Sequence, residues 1–132
     1  MIGADTNLLV RFLVKDDPPQ VEKVRALFEN THLEREPVFI SEIAMCELMW
    51  VLEKGYNFDR TAIAVAIESL LADSTFAWQS RALVEQALAD FKTLRGEFAD
   101  HLIGAVAREH NCRTTFTFDK DLARSENFTV LK

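Results

Sequence analysis

The spacing of apolar residues changes repeatedly along this chain, and each change predicts a short strand or a helix. Met1 to Ala4 is a brief apolar run that suits a buried strand. From Thr6 to Val14, the apolar residues Leu8, Leu9, Phe12 and Leu13 recur at helical spacing. Asp16-Asp17-Pro18-Pro19 stops that helix and starts another over 18–30, with Asp17 as N-cap and Pro18 in the first helical position. Val38-Phe39-Ile40 reads as a strand. Ser41 caps a helix from Glu42 to Lys54, which Gly55 is expected to end. Asp59 caps a helix over 60–72, Thr75 to Trp78 reads as a strand, and Ser80 caps a helix reaching Leu94. A further helix covers Phe98 to His110. Arg113 to Phe118 reads as a strand, 119–124 as a short turn or helix, and Phe128 to Leu131 as a last strand.

Strands alternating with helices predict an α/β fold with a central, mainly parallel sheet and helices on both faces. No repeat, low-complexity tract or Pro/Gly-rich linker interrupts the chain, so one domain over residues 1–132 is expected. In parallel α/β folds, ligands bind beyond the carboxyl ends of the strands. The chemistry is therefore to be sought there.

Asp5 follows the first strand directly, and Asp119 follows the strand 113–118. Glu47 lies within AMCELMWVL, with Ile43, Ala44, Trp50 and Val51 at helical spacing from it. Asp100 sits among Leu102, Ile103, Gly104 and Ala107. Acids so placed point to an interior or a cleft, where an unpaired charge is costly. Carboxylates gathered from separate segments repel one another, and a divalent cation relieves that repulsion. Oxygen-only ligands favour Mg²⁺ or Mn²⁺ over Zn²⁺. Such sites activate a water and stabilise the leaving oxygen in phosphodiester hydrolysis. Each acid also has a plainer reading: Asp5 and Asp100 as helix caps, Asp119 as a turn residue, Glu47 as the partner of a lysine. Their joint order, strand–Asp, helix–Glu, helix–Asp, strand–Asp, is harder to explain by caps alone.

Composition changes this picture little. Of the 132 residues, 48% are hydrophobic and 27% charged, which excludes a globally disordered chain. A chain of this length buries roughly two thirds of its unfolded surface, so it needs no structural metal or disulfide. Cys46 and Cys112 sit in no metal-ligand spacing and, in apolar surroundings, read as small buried reduced thiols. MIGADTNLLV lacks the basic and cleavage features of a signal peptide, and no apolar run approaches the roughly 20 residues of a membrane span. A cytoplasmic protein with no membrane partner is expected. The net charge of −6 argues weakly against a nucleic-acid partner, since bound divalent cations can supply the missing positive charge.

The segments DTNLLVRFL, ISEIAMCELMWVL, EFADHLIGAVA and TFTFDKDLA resemble, in order and spacing, the acidic motifs of PIN-domain ribonuclease toxins of the VapC type, across nearly the whole chain. That resemblance implies a three-layer αβα fold and cleavage of single-stranded or structured RNA. It also implies Mg²⁺ or Mn²⁺, a homodimer, and a cognate antitoxin protein in a type II toxin–antitoxin pair. Carried onto matching positions, it makes Asp5, Glu47, Asp100 and Asp119 the metal-site acids. Thr6, Asn7 and Thr117 match supporting polar residues. Glu97, where relatives often have Asp, shares a helix face with Asp100 and is a candidate outer ligand. His101 stands where a small residue is usual and reads as a surface or packing histidine. Asp121 competes with Asp119 and Glu42 with Glu47; the motif favours Asp119 and Glu47.

Arg11 and Lys15, and again Lys120 and Arg124, are paired at i, i+4 beside the acids and are candidates for phosphate contacts. Their plainer reading is as solvated helix charges. Trp50, Tyr56, Phe58 and the stripe Ile63, Ala66, Ile67, Leu70 read as core, or else as a partner surface. Two other functions compete. A phosphoacceptor receiver domain needs paired acids after its first strand, and here Asp5 is followed by Thr6 and Asn7. A catalytically silent PIN-fold binding module would act only through its partner.

Overall fold

Capping side chains start the helices where the apolar period predicts them. Asp17 Oδ1 accepts from Gln20 N (3.2 Å), Ser41 Oγ from Ala44 N (3.1 Å), Asp59 Oδ1 from Ala62 N (2.8 Å) and Ser80 Oγ from Leu83 N (3.4 Å). Each bond satisfies one of the N–H groups that a helix start leaves without an internal partner. The computed structural model describes residues 1–132, and the chain divides into two compact units, Met1–Gln79 and Ser80–Lys132.

The first unit runs β1 (Ile2–Gly3), α1 (Thr6–Leu13), α2 (Pro18–Leu33), β2 (Val38–Ile40), α3 (Glu42–Tyr56), α4 (Arg60–Ala72) and β3 (Phe76–Trp78). Its strands form a parallel sheet in the order β1-β2-β3, with Ile2 opposite Val38 and Val38 opposite Phe76. Val38 and Ile40 are fully buried, and Leu9, Met45, Leu48, Leu52, Ile67 and Leu70 bring the helices onto them. Phe12, Phe28 and Phe76 form a three-ring cluster with centroids 5.1–5.7 Å apart, joining α1 and α2 to β3. Tilted and edge-on contacts of this kind add to the stabilisation from burial alone.

The second unit contains α5 (Arg81–Thr93), α6 (Phe98–Glu109), β4 (Thr115–Thr117), a short 3-10 turn (Lys120–Leu122) and β5 (Phe128–Val130). β4 and β5 pair in parallel, with Thr115 opposite Phe128. Val84, Ala87 and Phe91 of α5 and Phe98, Leu102 and Ala105 of α6 are buried, as an apolar face at i, i+3, i+4, i+7 requires.

The expected α/β class, with parallel strands connected through helices, is therefore what the chain has. Most boundaries shift by a residue or so, and three of the differences have a physical reason. Gly55 does not end α3: the helix runs on to Tyr56, and Asn57 takes the left-handed conformation (φ 57°) while its N–H reaches Leu52 O. Asparagine tolerates that conformation, so the turn does not need the glycine two residues earlier. α2 runs to Leu33 rather than to residue 30, past the last apolar position of its stripe; Thr31 is buried there and donates to Phe28 O (2.9 Å). β4 is shorter than the 113–118 run, because ladder pairing covers only Thr115–Thr117.

Candidate active site

Asp5 ends the first strand and caps α1, accepting from Leu8 N through Oδ1 (3.0 Å). Thr6, the first residue of α1, donates from Oγ1 to Glu47 Oε1 on α3 (3.2 Å). Asp5, Thr6 and Glu47 line one cleft of about 390 Å³, together with Gly3, Ala4, Phe39, Ser41, Ile43 and Ala44. No lysine or arginine lines it. The cleft opens just past β1 and β2, as expected for a parallel sheet.

Glu47 is exposed at the mouth of this cleft rather than interior. Its apolar neighbours Ile43 and Trp50 are 75% and 59% exposed. Of the two placements expected for Glu47, interior or cleft, it takes the cleft, and Trp50 is exposed rather than core: residues at helical spacing share a face, but nothing in the spacing says that the face is covered. The stripe Ile63, Ala66, Ile67 and Leu70 is core as expected.

In the second unit, Asp100 lies in the first turn of α6, and its Oδ2 accepts from Glu97 N (2.9 Å). Glu97 is exposed at the N-cap position. Asp119 caps the 3-10 turn through Oδ1, which accepts from Asp121 N (2.9 Å). Thr117 Oγ1 accepts from Asp119 N (3.0 Å) and so fixes the backbone that carries this acid. Asp121 instead pairs with Arg95 (3.2 Å), a partner that sequence spacing did not suggest.

A common pattern runs through the four acids. Each uses one oxygen in a hydrogen bond that orients it, none takes part in a salt bridge, and the second oxygen is left without a protein donor. The cap reading of Asp5 and the turn reading of Asp119 are thus correct, whereas Asp100 is not the cap of its helix: Glu97 takes that position and Asp100, three residues on, completes a capping box; each acid keeps a ligand-capable oxygen. Glu47 has a threonine partner and no lysine.

The all-oxygen, cation-free donor set around Asp5 and Glu47 fits a hard divalent metal in its chemistry. In geometry, nowhere do three or more His, Cys, Asp or Glu side chains form a group that could hold a metal ion. The chain thus presents oriented acids, not a closed set of ligands.

The candidate phosphate contacts divide. Arg11 is committed: its guanidinium donates to Asp16 Oδ1 (2.7 Å), Gln20 Oε1 (2.7 Å) and Tyr56 OH (3.1 Å), while Tyr56 donates to Asp16 Oδ2 (2.8 Å). The bond to Tyr56, with help from the charges of Asp16 and Asp17, raises the Arg11 pKa above its ordinary value. Lys15, Lys120 and Arg124 are exposed and in no ion pair. Asn7 is exposed.

Of its two readings, surface or packing, His101 takes the packing one. It is fully buried, and its Nε2 lies 2.8 Å from Arg95 O. The signal was present: positions 98, 101, 102 and 105 form one helical stripe, and all four are buried.

The model of the PIN domain family matches residues 3–127, through both units. The chain belongs to the PIN-domain family, whose three-layer α/β fold class agrees with the parallel strands and helices described above. It is similar to a VapC ribonuclease of Aquifex aeolicus (strain VF5), 27% identical over 116 residues that cover 88% of this chain and 85% of that protein. The resemblance to PIN domains of the VapC type thus holds over most of the sequence. No helix is long and apolar enough to cross a membrane.

Proposed function

We propose that this chain is the toxin of a type II toxin–antitoxin pair: a Mg²⁺- or Mn²⁺-dependent endoribonuclease that hydrolyses phosphodiester bonds of RNA. In this reading residues 1–132 act as one PIN nuclease domain, in the cytoplasm, as a homodimer held in check by a cognate antitoxin. Asp5, Glu47, Asp100 and Asp119 would hold the metal, with Glu97 as an outer ligand. The observation that carries the reading is that each of the four acids is oriented through one oxygen and left open at the other, with no cation to neutralise it. The likeness to a VapC ribonuclease supports the same activity.

When bound, the divalent ion would activate water and stabilise charge on the leaving oxygen. The protein's own part is orientation. Thr6 holds Glu47 toward the cleft, the α1 N-terminus holds Asp5, and Thr117 holds the backbone of Asp119. Without compensating charge the carboxylates would repel the RNA phosphates, which would make hydrolysis dependent on the ion. Lys15, Lys120 and Arg124, free of internal ion pairs, would contact the RNA backbone and contribute affinity without sequence preference.

A second reading, a catalytically silent PIN-fold module acting through a partner, is favoured by one observation: no three acids stand close enough to form a metal group. The two separate in one experiment. Purified chain is incubated with labelled single-stranded RNA in Mg²⁺ or Mn²⁺, with EDTA and Asp5→Asn as controls. Cleavage that needs both the ion and Asp5 establishes the nuclease. No cleavage over varied RNAs, and no Mn²⁺ binding by calorimetry, leaves the silent module.

A further inference from the structure

We propose that His101 is a positioning residue for Asp100 and Asp119, acting through the backbone of the loop between α5 and α6; this rests on the nuclease reading above. His101 has no exposed surface, and its Nε2 lies 2.8 Å from the carbonyl oxygen of Arg95. A carbonyl only accepts, so Nε2 carries the hydrogen and donates it. The other ring nitrogen, Nδ1, is buried and has no partner. A buried polar atom without a partner costs stability. The stripe that holds the ring, with Phe98, Leu102 and Ala105, would accept a leucine without that cost. What a leucine could not do is hold the Arg95 carbonyl.

The residues from Arg95 to Glu97 touch Asp100 directly and the turn that follows Asp119 through Asp121 and Leu122. Gly96 has φ +104° and passes so close that a Cβ there would lie 2.6 Å from Leu122 Cδ2, 3.2 Å from His101 Nε2 and 3.6 Å from Asp100 Oδ2. The next residue donates its backbone N–H to Asp100 Oδ2 (2.9 Å). The preceding one sends its guanidinium to Asp121 (3.2 Å), inside the 3-10 turn that Asp119 caps. The loop therefore braces the Asp100 carboxylate directly and the Asp119 turn through Asp121 and Leu122. His101 is the buried anchor of that brace. Groups that orient metal-ligating residues typically change affinity or activity by about 10- to 100-fold when removed.

The test uses the full chain and three substitutions. His101→Gln keeps an N–H donor near the position of Nε2. His101→Leu fills the volume without one, and His101→Asn keeps an amide too short to reach Arg95. Three quantities are read: amide exchange of Glu97 N–H in the metal-free chain, the Kd for Mn²⁺, and kcat and KM for RNA cleavage. The expected result is faster Glu97 exchange in the Leu and Asn variants. Their Mn²⁺ binding should weaken by about 10-fold or more, and kcat should fall at little-changed KM, with most of each effect restored in the Gln variant. A general loss of packing would not be rescued by glutamine. Parental exchange, Mn²⁺ affinity and kcat in a folded Leu variant overturn the proposal. If the Leu variant does not fold, equal behaviour of Gln and Asn overturns it. Failure of the nuclease reading looks different: the unsubstituted chain then neither binds Mn²⁺ nor cleaves RNA, and Asp100→Asn changes neither, whatever the Glu97 amide does. That outcome removes this proposal as well.

Discussion

Thr6 and Glu47 are 41 positions apart in sequence and joined by one hydrogen bond, from the threonine hydroxyl to Glu47 Oε1 at 3.2 Å. Thr6 follows Asp5 directly, so one peptide step connects the residue that orients Glu47 to the acid that shares its cleft. The bond turns α3's exposed glutamate toward the end of β1 instead of into solvent.

Thr6→Val keeps the β-branched shape and removes only the hydroxyl. Hydrogen bonds to charged groups contribute about 1.5–3 kcal/mol, and solvent exposure places this one at the low end. The expected outcome is RNA cleavage slowed by about 10-fold, with a melting temperature within a few degrees of the parent, measured by single-turnover rates and thermal denaturation. An unchanged rate in the valine variant would mean that Glu47 needs no tether.

The cations beside the acids separate into two kinds. Arg11 is locked to Asp16, Gln20 and Tyr56, whereas Lys15, four residues on, is exposed and unpaired. Lys15→Ala should weaken RNA binding across sequences and reduce the slope of log K against log salt by about 1. Arg11→Ala should act mainly on stability, through the loss of three hydrogen bonds that tie α1 to the start of α2 and the end of α3. Filter binding over a salt series, set beside thermal melts, distinguishes them. Equal loss of RNA affinity in both would place Arg11 on the RNA as well.

What the sequence shows of this architecture is mostly what local chemistry writes into it. Asp17, Ser41, Asp59 and Ser80 are capping residues of common type at period changes, and each caps as expected. Gly55 misled because Asn57 can also turn left-handed, and the choice between them rests on where Asn57 and Phe58 reach back to Leu52 O. The acids were legible because their order matches a family pattern. Their partners were not: Thr6 to Glu47 and Arg95 to Asp121 are long-range contacts that leave no periodic trace. Burial was half legible. Position 101 follows the stripe of Phe98 and Leu102 into the core, while Ile43 and Trp50 share a stripe that stays exposed.

Cys46 and Cys112 should react differently with alkylating reagents. Burial, and secondarily the charge of Glu42, pushes the Cys46 thiol above its ordinary value of 9.0, whereas Cys112 is exposed, which corrects the expectation that both thiols are buried. The thiolate is the reacting species, so iodoacetamide at pH 8 should modify Cys112 first and Cys46 slowly. The sign for stability follows. A group whose pKa is higher folded than unfolded stabilises the fold fully below the unfolded value and loses that contribution as pH rises through the folded one. Cys46→Ala should therefore flatten the fall in melting temperature above about pH 9. Mass spectrometry of the modified peptides and melts over pH 8–10 test both; faster labelling of Cys46 than of Cys112 would contradict the burial.

Gly104 sits in α6 against Asn127 and Phe128 at the start of β5, and the balance of two effects decides what an alanine does there. On an isolated helix, Gly→Ala is favourable by about 1 kcal/mol. In this chain the added Cβ would stand 2.7 Å from Phe128 Cε2, 3.0 Å from Asn127 Cβ and 3.1 Å from Phe128 Cζ. Phe128 is 9% exposed, so its ring has little room to move away, and Asn127 Cβ can shift only with its backbone. Overpacking of this kind typically costs about 1–3 kcal/mol. The clash should outweigh the helix term, and Gly104→Ala should lower the melting temperature by roughly 3–8 °C for a chain of this size. Removing the ring with Phe128→Leu destabilises by itself. In the double variant, however, the Gly104→Ala cost should shrink or reverse, because the atoms it struck are gone. A Gly104→Ala protein that melts at or above the parent would show that α6 and β5 have slack the packing does not suggest.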